Sequence, residues 1–129
     1  RWSDGRALLA TGIPVPPIEY EGTAFHIGQG NNALLYPGLG LGTIVAGASR
    51  ITDGMLLAAA RAVAGQVDAT PLGSSLLPAV EDLRASSATV AVAVIEAAQA
   101  DGVAAADVGD PVQAVLDAMW QPVYPDDLG

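Results

Sequence analysis

At 129 residues the chain has room for one domain, which can bury roughly two-thirds of its unfolded surface. Hydrophobic residues make up 51% and charged residues 15%, a balance that excludes disorder. The net charge is −9 and the five cations, all Arg, are scattered, so there is no basic stripe for nucleic acid and an anionic lipid surface is repelled.

The absence of Cys removes disulfides, thiolate nucleophiles and zinc–thiolate sites, and accords with a cytoplasmic protein. A chain opening at Arg1 reads as a piece of a longer one, and nothing at its start has the pattern of a signal peptide. Residues 22–49 lack Asp, Glu, Lys and Arg, but Pro37, three glycines and the polar Gln29, Asn31 and Asn32 interrupt them. A membrane span needs about 20 mostly apolar residues, so this stretch is a buried helix and no membrane partner is expected.

Residues 7–11 form a short apolar run ended by Gly12, the pattern of a core strand buried on both faces. Residues 12–17 carry three prolines and are extended. Residues 18–20 and 23–27 flank Glu21-Gly22 as a small hairpin. A first helix runs from Asn31 to about Ala48, kinked or restarted at Pro37, with glycines that permit close packing on another backbone.

Thr52 caps a second helix whose buried face is Met55, Leu56, Ala59, Ala60 and Val63, stopped at Gly65. After a loop over 67–75, a long helix starts at Leu77 or Val80 and ends at Ala100, before Asp101-Gly102. Asp110-Pro111 opens a last helix to about Met119, and Trp120 and Tyr124 dock the tail.

Asn31 and Asn32 are the first chemical candidates. One Asn at a helix start is an N-cap. Two in a row suggest a ligand with donors and acceptors of its own, because buried amides need both ends satisfied. Gly28-x-Gly30-x-x-Ala33 also fits a dinucleotide fingerprint, with Asp53 loosely placed for a ribose, but the preceding segment reads as a hairpin arm, so this use carries little weight. His26 is the single imidazole and reads as structural, and the C-terminal acids, Asp101 and Asp110 among them, read as solvated faces.

Gly28-Gln29-Gly30-Asn31-Asn32 with the following Leu35-Tyr36-Pro37-Gly38 resembles the malate-site segment of the malic enzyme family, large-subunit type. The segment from Trp2 to Gly12, Ser49-Arg50-Ile51-Thr52-Asp53-Gly54 and Met119-Trp120-Gln121-Pro122 are similar to that family as well. The resemblance implies an α/β fold: the C-terminal portion of a Rossmann-like NAD(P)-binding domain, mostly helical here, with a short core strand and a small hairpin. Residues 1–129 would be part of that domain, with the substrate and metal domain outside this chain.

It also implies oxidative decarboxylation of (S)-malate to pyruvate and CO2 with NAD or NADP, by a homo-oligomer. Asn31 would bond the hydroxyl or a carboxylate of malate, and Asn32 a carboxylate or the nicotinamide carboxamide. Gly30 joins Asn32 on the cofactor side. No catalytic or metal residue carries over: the family's general-base Lys has no counterpart, Tyr20, Tyr36 and Tyr124 fall outside its Tyr motif, and the ligands for Mn or Mg belong to earlier segments. The fragment alone is therefore expected to be inactive.

Thr11-Gly12-Ile13-Pro14 departs from the family's Ser-Gly-Ser-Pro by one hydroxyl, and Val15 replaces an aromatic. A malolactic enzyme, which converts malate to lactate, shares the same run. A non-catalytic assembly module with exposed apolar surface is the reading from another class.

Overall fold

The computed structural model describes Ser3, Asp4 and residues 6–121. Four short strands come first: β1 (Ala10–Thr11), β2 (Ile18–Tyr20), β3 (Thr23–Phe25) and β4 (Gly28–Gln29). Four helices follow: α1 (Tyr36–Val45), α2 (Asp53–Ala64), α3 (Leu83–Ala100) and α4 (Pro111–Ala118). The chain is thus mostly helical with small strands.

β2 and β3 pair antiparallel around Glu21-Gly22. Both turn residues have positive φ, 49° and 78°, the I′ geometry whose twist matches that of the flanking strands. Tyr20 and Phe25 meet edge-on across the hairpin at 6.3 Å. The arm ends at Phe25 rather than Ile27, and Gly28–Gln29 leaves the hairpin to pair with β1 in parallel, Ala10 opposite Gly28 and Thr11 opposite Gln29. The crossover between these parallel strands is the Pro-rich segment plus the hairpin, where a helix is more usual.

The expectation of a strand over 7–11 buried on both faces is corrected. Only Ala10–Thr11 is strand, and residues 7–11 are exposed. Their apolar side chains face outward because β4 is the one strand beside them among the described residues.

α3 is the centre of the helical part and touches α1, α2 and α4. Val90, Ala91, Val94, Ile95 and Ala98 of α3 are fully buried. α1 reaches it by backbone, since a Cβ added at Gly38 would lie 2.6 Å from the Ser87 carbonyl and one at Gly42 2.6 Å from that of Ala91. Of the two expectations for the helix from Asn31 to about Ala48, a kink or a restart at Pro37, the structure has the restart. A 3₁₀ turn over Asn32–Leu34 precedes α1, and the break at Leu35 lets Pro37 enter at the start of a helix, where its missing N–H costs no bond.

α2 buries Met55, Ala59 and Val63, whereas the expected Leu56 and Ala60 are exposed. The buried stripe follows i, i+4, i+8 alone, and the adjacent one faces solvent. Thr52 caps α2 as anticipated, accepting from the Met55 N–H. Its hydroxyl also donates to Asp101 at the end of α3, whose carboxylate fills the space where a side chain at position 54 would lie. Asp101 therefore ties two helix ends together and is not merely a solvated residue.

The long helix expected to start at Leu77 or Val80 begins only at Leu83, because Val80–Asp82 form a 3₁₀ turn that leads into α3. Asp110 caps α4 through the Val112 and Gln113 N–H groups. Trp120 is 74% exposed, so its side chain does not dock the tail, although its carbonyl accepts from Arg84. Tyr124 lies outside the described residues. No helix among the described residues is long and apolar enough to cross a membrane.

Candidate functional site

β1 and β4 run side by side and end together. Ligands of open parallel sheets bind beyond such carboxyl ends, and here those ends lead into Gly12-Ile13 and Gly30-Asn31-Asn32. The Gly30 N–H donates to the Thr11 carbonyl at 2.7 Å, one bond past the last strand pair. Asn31 is half-buried and extended (φ −117°, ψ 130°), and its Oδ1 accepts from the Ala33 N–H at 2.9 Å. Capping is thus real and occupies the acceptor end of this amide. Among the described residues nothing accepts from its Nδ2, and neither end of the exposed Asn32 amide is bonded.

Asn31 is half-buried and Asn32 exposed, so among the described residues the two amides stand at an open edge. A cleft of about 460 Å³ lies elsewhere, between Arg6, Leu8, Tyr20, Phe25, His26 and the loop at Thr70. A second of about 340 Å³ lies between Pro14, Val15, Gln29, Leu77 and Glu81. Neither is lined by Asn31 or Asn32.

The dinucleotide fingerprint is not laid out as strand, glycine turn and helix. Gly28 lies within β4 against Leu77 and Ser75, and α1 starts only at Tyr36. Asp53 sits in the first turn of α2 and is exposed. His26 is also exposed, and its backbone N–H donates to Gly73. No group of three acidic or imidazole side chains capable of holding a metal exists among the described residues.

Beside the larger cleft, Thr70 donates its hydroxyl and its N–H to Asp68. Those two bonds, the hydroxyl first, hold the Asp68 carboxyl below the ordinary aspartate range. With the folded value depressed, the carboxylate supports the loop at neutral pH and loses that effect as pH falls through the lowered value. In an NMR titration Asp68 is expected to protonate below the ordinary aspartate range and to move part of the way back in Thr70→Ala, which removes the hydroxyl bond and keeps the backbone N–H. Unchanged titration in that variant would refute the cause given.

Residues 1–99 match the family model for the malic enzyme NAD-binding domain. The chain belongs to the malic enzyme family. It is 58% identical over 123 residues to NAD-dependent malic enzyme 3 of Bacillus subtilis, covering 95% of this chain and 22% of that relative. A putative NAD malate oxidoreductase of Mycobacterium tuberculosis is also 58% identical, with the same coverage. NAD-dependent malic enzyme of Sodalis glossinidius is 44% identical over 131 residues, covering 98% of this chain and 23% of that relative.

A crystal structure of malic enzyme from Pyrococcus horikoshii Ot3 superposes with a TM-score of 0.69 at 31% identity, covering 86% of this chain and 23% of the other. The strands and helices within residues 1–99 are therefore those of the malic enzyme NAD-binding domain. The chain spans less than a quarter of the length of the malic enzymes it matches.

One feature of the site lies outside the sequence expectations: Thr11 bonds across its own turn. The close backbone packing expected of the α1 glycines is present at Gly38 and Gly42, which are four apart and share a helix face, and not at Gly40.

Proposed function

We propose that this chain is the part of an NAD-dependent malic enzyme that presents amides to malate and cofactor. The observation that carries the reading is the pair of amide groups without a partner among the described residues, Asn31 Nδ2 and the Asn32 carboxamide, at the joint carboxyl end of β1 and β4. An amide donates to a carboxylate without titrating, so it orients malate and leaves the transferred proton to other groups. Asn32, with donor and acceptor both available beside Gly30, suits either a carboxylate or a carboxamide.

NAD would be held on the side of Asn32 and Gly30 and would supply a hydride acceptor for the hydroxyl-bearing carbon of malate. The described residues supply no cluster for a divalent ion, whose ligands would lie in the rest of the longer protein. The open edge and the exposed Leu8, Leu9, Ile13 and Ile44 fit a piece whose remaining walls and catalytic groups lie in the rest of a longer, cytoplasmic chain that associates with copies of itself.

The test is malate-dependent reduction of NAD by the full-length protein containing this sequence, with product analysis. Pyruvate and CO2 are the expected products, and the 129-residue chain alone is expected to give none. Lactate would assign the malolactic reaction instead. No malate-dependent chemistry in the full-length protein would leave the assembly role as the surviving alternative.

A further inference from the structure

We propose that Thr11 is a positioning residue whose hydroxyl holds the Gly12-Ile13 main chain as a second wall of the ligand site, beside Asn31. The inference rests on the reading that the paired amides receive malate.

Thr11 is bonded in two directions. Its carbonyl accepts from the Gly30 N–H at 2.7 Å, and its hydroxyl donates to the Ile13 carbonyl, also at 2.7 Å. The first bond ties β1 to the residue immediately before Asn31. The second closes the turn that follows β1. The parallel register, continued one step past Thr11 and Gln29, sets Gly12 beside Gly30.

Packing does not fix this turn. A Cβ placed at Gly12 would meet no atom within 4 Å, and Ile13 is 68% exposed. Pro14 restricts Ile13 to extended conformations, which leaves Gly12, the most permissive residue type, as the hinge. Among the described residues, the Thr11 hydroxyl is the group that spans that hinge. Without it, the Gly12-Ile13 backbone would sample several positions relative to the Asn31 amide. A ligand would then have to order it on binding, and that cost falls on affinity. Ile13, apolar where the resembling segment has Ser, gives this wall its main chain alone to offer a ligand.

The experiment compares Thr11→Val, Thr11→Ala and Thr11→Ser in the full-length protein, measuring KM and kcat for malate together with thermal melting. Val keeps the shape and removes the hydroxyl, Ala is a second hydroxyl-free variant in case Val fails to fold, and Ser restores the donor. The hydroxyl-free variants are expected to raise KM for malate about five- to tenfold, the range of one neutral hydrogen bond. Their kcat should stay within about twofold, and Ser should return KM to within about twofold of wild type.

A merely structural role would reduce the active fraction, lowering kcat while KM holds. That result, or equal KM in wild type and the hydroxyl-free variants, or a Ser variant as impaired as Ala, overturns the positioning role. Wild-type protein that reduces no NAD with malate would instead overturn the reading beneath it.

Discussion

Gly42→Ala is expected to lower the melting temperature of the chain by roughly 10 °C, whereas Gly40→Ala, two residues earlier in the same helix, is expected to raise it. At Gly42 the new methyl carbon would lie 2.6 Å from the Ala91 carbonyl oxygen and 2.8 Å from Val94 Cβ, and both neighbours belong to the fully buried face of α3. Neither can yield without moving the helix. Overpacking of this kind costs about 1–3 kcal/mol or more, and in a domain of this size each kcal/mol is worth several degrees. At Gly40 a Cβ meets nothing within 4 Å, so the gain in helix propensity, about 0.5–1 kcal/mol, stands alone. Circular dichroism melts of the two variants read the contrast directly. Equal melting temperatures would mean that α1 is not seated on α3 through Gly42.

The same pair of glycines shows what could be read from the residues and what could not. Spacing, caps and turn residues are local quantities, and they located the Glu21-Gly22 hairpin, the Thr52 and Asp110 caps and the long helix ending at Asp101. They also indicated that glycines in α1 would let two backbones approach. Which of the three glycines faces α3 depends on helix rotation, and one face was legible only once Pro37 was known to open a new helix and not to bend an old one.

Residues 7–11 failed for a different reason. A run of apolar residues states that a surface is suited to burial, but burial requires a second surface, and among the described residues β4 is the one strand beside β1. Leu56 failed in a similar way, being an apolar residue on the solvent side of the stripe formed by Met55, Ala59 and Val63. The candidate site was legible as a pair of amides at a turn. It was not legible as an open edge, because one chain's spacing carries no information on what closes over it.

The cap that Asn31 forms and the malate contact proposed for it can be separated. Its Oδ1 caps the 3₁₀ turn through the Ala33 N–H, and its Nδ2 has no acceptor among the described residues. Asn31→Asp keeps an oxygen at the capping position, since Asp and Asn are comparable caps, while it removes the donor and adds a negative charge. The melting temperature of Asn31→Asp should therefore stay within a degree or two of wild type. Malate, a dianion, would lose a charge-assisted bond worth about 1.5–3 kcal/mol and meet repulsion besides. In the full-length protein kcat/KM for malate is accordingly expected to fall by about a hundredfold or more. Asn31→Ser, which caps without adding charge and holds its one O–H donor nearer the main chain than Nδ2, should show the smaller fall of roughly tenfold that goes with a displaced donor. If Asn31→Asp melts normally and turns over malate within about threefold of wild type, the cap is the whole of what Asn31 does, and malate recognition must be sought at Asn32 or elsewhere.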